Sequence, residues 1–239
     1  MKTTRVIVID DERSAREELK SALKGYAGFE VIGEAKNADE AKEQIIAKRP
    51  DLIFLDIQMP EKSGFELLES LDEVPIVIFT TAYNQYAVQA FEINALDYLM
   101  KPIREERFAK AIEKYKNSIN QKTTVEKVQP AGRRIFIKDG EKCYFIRLSD
   151  IYMIESVDNY SRLYFEQKKV LMKRSLRQWE EMLDATLFFR ISRTHIINTQ
   201  YIQQVNAEAK GKLTIRLKTG ELLEVSGRQS VKFKNLNGI

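Results

Sequence analysis

The sequence predicts a doubly wound α/β module with a five-stranded parallel sheet, followed by a mainly antiparallel β module. Three observations carry this reading. Short, uninterrupted apolar runs alternate with helical patterns through the first 118 residues, as expected of parallel strands covered on both faces. The hydrophobic period changes to two beyond residue 133, which marks half-buried antiparallel strands. The charge also divides: residues 1–120 hold 17 Lys/Arg against 22 Asp/Glu, whereas residues 121–239 hold 22 against 13.

In chain order, Val6–Ile9 is the first buried strand, and residues 12–25 form a helix with Ala15, Leu19, Ala22 and Leu23 on one face, stopped at Gly25. Phe29–Gly33 is a strand and Ala38–Lys48 a helix. Leu52–Leu55 is a second continuous apolar strand, followed by a short helix over Gly64–Leu71. Ile76–Phe79 is the fourth strand, residues 84–94 a helix and Asp97–Met100 the fifth strand. A closing helix over 104–118 aligns Phe108, Ala111, Ile112 and Tyr115. Periodicity lapses between Asn117 and Gly132, so the linker is drawn at 119–133. In the second module, Arg134–Lys138 and Lys142–Arg147 flank Asp139-Gly140, a hairpin signal. Ile151–Glu155, Tyr160–Glu166 and Lys169–Lys173 are strand-like, and Leu176–Leu183 is helical with Trp179 inward. Leu213, Ile215 and Leu217, then Leu223 and Val225, alternate about Thr219-Gly220.

Composition excludes several classes. No apolar run approaches the ~18 residues of a membrane span, and no leader-like segment precedes the first strand, so the expected location is the cytoplasm. One cysteine (Cys143) and one histidine (His195) exclude an internal disulfide and leave no ordinary zinc set. The basic half points to nucleic acid and the acidic half to another partner.

In a parallel sheet the reactive site lies beyond the carboxyl ends of the strands. Asp10 and Asp11 close the first strand, Asp56 the third, Thr81 the fourth and Lys101 the fifth. Converging carboxylates suit Mg²⁺, while a lysine and a hydroxyl beside them suit phosphoryl oxygens. Asp10-Asp11-Glu12, Asp56 with Met59-Pro60 and Gly64, Thr81-Ala82 and Lys101-Pro102 together resemble the receiver domain of two-component response regulators, over residues 1–118. The resemblance implies that Asp56 accepts a phosphoryl group from a sensor histidine kinase. It also implies that Asp10, Asp11, Asp56 and the Gln58 carbonyl serve Mg²⁺, and that Thr81 and Lys101 contact the phosphoryl group. Tyr98 would be the switch aromatic, and Lys101-Pro102 the site of a cis peptide.

Residues 134–239 resemble the LytTR family of DNA-binding output domains. The carrying residues are Ile154-Glu155, Asn159-Tyr160, Ser175-Leu176, Phe189–Thr194, Ile197-Asn198, Gly220 and Val225-Ser226. By that resemblance, Arg193 and Arg228 read bases, Asn159, Ser161 and Arg162 form a second contacting loop, and Lys232 binds phosphate. Arg190 either contacts DNA or holds its loop. The whole is expected to be a regulator rather than an enzyme. Phosphorylation would favour a homodimer through residues 84–94, 97–100 and 104–118, and the dimer would bind double-stranded promoter DNA at repeated sites. The alternative is an output that binds RNA or protein.

Overall fold

The computed structural model describes residues 3–82, 95–120, 133–140, 142–208 and 212–237. The helix expected over 84–94 and residues 121–132 of the expected linker lie outside them. The chain divides into two compact units, Met1–Ile146 and Arg147–Ile239.

The first unit holds a parallel sheet in the order β2-β1-β3-β4-β5. Its strands are β1 (Thr4–Ile9), β2 (Phe29–Ala35), β3 (Leu52–Asp56), β4 (Ile76–Thr81) and β5 (Asp97–Met100). Period two explains how the uninterrupted apolar runs are used. Ile7 and Ile9 of β1 face α2 (Ala38–Lys48) and α3 (Gly64–Glu69), while Val6 and Val8 face α1 (Arg13–Lys24) and α4 (Glu105–Asn120). Phe54 stacks on Phe108 of α4 at 5.6 Å between centroids. Two helix starts are fixed by side chains that satisfy otherwise orphaned N–H groups. Asn37 accepts from the Glu40 N–H at 2.9 Å, and Ser63 forms a reciprocal capping box with Glu66. A methyl group on Gly64 would sit 2.4 Å from the Asp56 carbonyl oxygen. Only glycine lets α3 begin so close to the end of β3.

β6 (Arg134–Asp139) and β7 (Lys142–Arg147) form a hairpin with Gly140 at φ 63°. The sequence alone groups this hairpin with the β module, but it packs into the first unit. Phe136 stacks on Phe65 of α3 at 6.3 Å, and Phe145 meets Phe79 of β4 edge-on at 6.4 Å. The Val74 N–H donates to the Arg134 carbonyl at 2.9 Å. Cys143 is buried in the same cluster, and burial pushes its thiol up to about 11.

The second unit has a five-stranded sheet, β10-β9-β8-β12-β11, and a three-stranded sheet, β13-β14-β15. The elements are β8 (Ile151–Val157), β9 (Tyr160–Phe165), β10 (Lys168–Met172), α5 (Leu176–Met182), β11 (Phe188–Arg190), β12 (His195–Asn198), β13 (Ile202–Ala207), β14 (Leu213–Leu217), β15 (Leu222–Val225) and α6 (Gly227–Asn237). All pairings within the two sheets are antiparallel. The core joins Tyr152, Ile191, Ile197, Ile215, Val225 and Phe233. Trp179 is fully buried, with the Arg174 guanidinium 5.0 Å from its ring centroid.

Candidate functional site

The β1, β3 and β5 strands lie in register, so their carboxyl ends deliver side chains to one edge of the sheet. Ligand oxygens of Asp10, Asp11 and Asp56 all lie within 4.8 Å of one another. Asp10 and Asp56 are buried and Asp11 is exposed. Lys101, at the end of β5, places Nζ 2.7 Å from Oδ2 of Asp10 and 2.7 Å from Oδ2 of Asp56. Backbone N–H groups complete the frame: Glu12 donates to Asp10 Oδ1 at 3.0 Å and Gln58 to Asp56 Oδ1 at 3.1 Å. The Lys101-Pro102 peptide is cis.

The electrostatics follow from two buried carboxylates, Asp10 and Asp56, sharing one ammonium. Burial pushes the Asp10 carboxyl upward, the Asp56 charge adds to this, and Lys101 only partly offsets it. Asp56 is likewise raised, chiefly by burial. Burial opposes the charge on Lys101, yet its hydrogen bonds to Asp10 and Asp56 outweigh that and raise it. A group of hard oxygen donors carrying excess negative charge fits Mg²⁺. The residues whose oxygens converge to hold it are Asp10, Asp11 and Asp56.

Thr80 and Thr81 are both fully buried, on opposite faces of β4. The side chains of Thr81 and Tyr98 are hydrogen-bonded to each other, and Tyr98 is buried. Arg16 carries no sequence motif, yet it reaches the site. From α1 its Nη1 donates to the carbonyls of Asp10 at 2.8 Å and Asp11 at 3.2 Å. Its spacing from the paired acids, one helical turn into the following helix, was the available signal.

In the second unit, three exposed segments meet. The β8–β9 turn carries Asn159, the β11–β12 loop carries Arg193, and α6 carries Arg228 and Lys232; all four residues are exposed. Two backbone hydrogen bonds join these segments: Ser156 N–H to the Thr194 carbonyl at 2.8 Å, and Ser226 N–H to the Ile191 carbonyl at 2.9 Å. Arg190 holds the middle loop, donating to the carbonyls of Ser192 at 3.0 Å and Arg193 at 3.2 Å while pairing with Glu180 at 2.6 Å. Ser192 Oγ accepts from the N–H groups of Thr194 at 3.1 Å and His195 at 3.0 Å.

Two expectations for this surface change. Ser161 is not a contacting residue: it is fully buried, and its hydroxyl donates to the Arg174 carbonyl at 2.5 Å. Its parity with Leu163 and Phe165 along β9 turns it toward the core. Arg162 is half-buried and pairs with Glu155 at 3.0 Å, so any contact it made to a ligand would compete with that ion pair.

Comparison with known proteins agrees with both halves of the chain. Residues 6–113 match the response regulator receiver domain, and residues 141–238 match the LytTr DNA-binding domain. The chain is 34% identical over 240 residues to the sensory transduction protein LytT of Enterococcus faecalis, covering 98% of this chain and 99% of that one. It is 32% identical to the transcriptional regulatory protein LytR of Staphylococcus aureus, with 95% and 96% covered. Among solved structures, the response regulatory domain of mrkE from Klebsiella pneumoniae is 30% identical, covers 49% of this chain and 98% of that chain, and aligns with a TM-score of 0.45.

Proposed function

The chain belongs to the response regulators that join a receiver domain to a LytTR DNA-binding domain, and from that premise we propose that phosphorylation of Asp56 by a sensor histidine kinase controls its binding to promoter DNA and hence transcription. The observation that carries this is the convergence of Asp10, Asp11 and Asp56 within 4.8 Å, with Lys101 in contact with Asp56.

The chain's own residues have distinct tasks. A carboxylate oxygen of Asp56 forms the new O–P bond as the bond from phosphorus to the donor histidine nitrogen breaks, and that nitrogen keeps the electron pair. Lys101 is already beside the acceptor oxygen and stabilises negative charge on the transferred group. Mg²⁺, when bound, supplies positive charge to the phosphoryl oxygens. The Thr81 hydroxyl turns toward the phosphoryl group and leaves its hydrogen bond with Tyr98, so modification favours a different arrangement of β4 and β5.

The output reads duplex DNA through loops. Arg193 and Arg228 are suited to guanine edges, Asn159 to adenine, and Lys232 to phosphate. The phosphorylated chain dimerises in the cytoplasm and binds repeated sites, because the second half-site is then contacted at high effective concentration.

The test is selection of genomic duplex fragments by the purified chain with Mg²⁺, with and without a small phosphoryl donor, alongside Asp56→Ala. A repeated motif whose enrichment rises with donor in the wild type alone is the expected result. Donor-independent enrichment sinks the switch. Enrichment of single-stranded RNA in place of duplex sinks the DNA output.

A further inference from the structure

We propose that Arg16 is a positioning residue of the Asp56 site, fixing the Asp10–Asp11 turn by its backbone so that Asp11 is preorganised for a divalent cation. This rests on reading that site as a Mg²⁺-assisted phosphoryl acceptor.

In the turn between β1 and α1, the carbonyl of the N-cap Glu12 accepts from the Arg16 N–H at 3.2 Å, while Asp10 and Asp11 precede the cap, outside the helical hydrogen-bond series. The Asp10 N–H is tied to the Ala35 carbonyl at 3.1 Å, and the Glu12 N–H to the Asp10 carboxylate at 3.0 Å. The carbonyls of Asp10 and Asp11 both accept from one nitrogen, Arg16 Nη1, at 2.8 and 3.2 Å. That nitrogen carries two hydrogens, one for each oxygen. The Arg16 side chain is only 13% exposed, and its Nε is anchored to Glu34 Oε2 at 3.4 Å. Glu34 in turn binds Lys20 at 2.8 Å, which holds its carboxyl below the ordinary range.

The burial pattern makes this clamp matter. Asp10 and Asp56 are packed in place, whereas Asp11 is exposed. The position of the Asp11 carboxylate is therefore inherited from its backbone, and Arg16 holds that backbone. A guanidinium so near a cation site would ordinarily repel the cation. Here Glu34, shared with Lys20, offsets part of its charge, so the clamp orients the acids with less repulsion toward the metal. A lysine at position 16 is shorter and lacks the fork that spans both the carbonyls and Glu34.

The experiment titrates Mg²⁺ into the full chain and its Arg16→Met, Arg16→Lys and Glu34→Gln variants. Affinity is read by calorimetry, and the Asp56 phosphorylation rate with a small donor is followed across Mg²⁺ concentration. Removing outer partners of metal ligands typically costs roughly 10–100-fold in affinity, and that shift is expected for Arg16→Met. Arg16→Lys should recover part of it, and Glu34→Gln should weaken binding in the same direction. Because Arg16 binds the backbone of the Asp10–Asp11 turn and Glu34, the Arg16→Met rate at saturating Mg²⁺ should return to about the wild-type value, a split that general loosening of the fold would not produce.

Wild-type Mg²⁺ affinity in a folded Arg16→Met chain overturns the proposal, as does a rate that saturating Mg²⁺ fails to restore. If Arg16→Met does not fold, Glu34→Gln decides: weakened Mg²⁺ binding supports the clamp and unchanged binding refutes it. A wild-type chain that binds no Mg²⁺ overturns the reading of the site itself, and the clamp with it.

Discussion

Lys101 places its ammonium 2.7 Å from the Asp56 carboxylate, yet burial still holds that carboxyl above its ordinary value. The ionised form is therefore disfavoured in the folded chain. A raised folded value contributes stability that is present below the unfolded value and lost as pH rises through the folded one. Asp56→Asn should thus melt at a higher temperature than wild type at pH 7 without Mg²⁺. The gain should shrink as pH falls through the raised value and vanish below the ordinary 3.8. Thermal melts across pH test this, and an Asn variant that is less stable at pH 7 would contradict it.

Asp97 has the opposite sign. Both of its oxygens accept from Arg107, at 2.6 and 2.8 Å, and Arg107 also donates to the Tyr98 carbonyl at 2.7 Å. Burial works against the Asp97 charge, but these partners outweigh it and hold the carboxyl below its ordinary range. That stability is present above the unfolded value and lost as pH falls through the folded one. With Arg107 41% exposed on its side chain, the pair is partly screened. Asp97→Asn should cost about 1–2 kcal/mol at pH 7. Urea denaturation at pH 7 and again in acid should show the difference closing.

The β6–β7 hairpin is held to the first unit by Phe65, Phe79, Phe136 and Phe145. Phe136→Ala removes the ring at the centre of that cluster, for which a loss of ~3–5 kcal/mol is expected. Cys143 reports the same contact, being buried with its thiol raised to about 11. In native protein it should react with a thiol reagent far more slowly than in denaturant, and Phe136→Ala should speed that reaction. Equal native rates would show that the hairpin is not docked in solution.

On the output surface, Arg193→Ala should cost ~1–3 kcal/mol on the preferred duplex and relax preference at one base pair. Lys232→Ala should weaken binding uniformly and lower the salt slope by ~0.9. Ser161→Ala should leave base preference intact, since its hydroxyl serves the Arg174 carbonyl inside the fold. Fluorescence anisotropy over a salt series, with single-base variants of the selected site, separates the three.

The five-stranded parallel sheet of the first unit and the meeting of Asp10, Asp11, Asp56 and Lys101 were legible because they depend on local rules. Apolar runs make buried strands, strands alternate with helices, and strand ends collect polar residues at one edge. The helix Gly227–Asn237 was less legible. Its first turn is Gly-Arg-Gln-Ser, and among the described side chains Phe233 is its one buried large apolar residue. Its apolar stripe is therefore too sparse to reveal a period of 3.6. Ser161 was readable from parity with Leu163 and Phe165, but the resemblance of its loop to a contact segment obscured that signal.

What the sequence determined by itself was the fold class of each half, the acidic strand ends and the basic loops, because short-range periodicity and residue chemistry encode them. Only tertiary structure decided that Arg16 grips the Asp10–Asp11 carbonyls, that Arg162 is committed to Glu155 and that the 134–147 hairpin packs with the first unit. Each is a contact made by an atom beyond Cβ with a partner from another element or turn, and its geometry exists only once those parts of the chain are packed together.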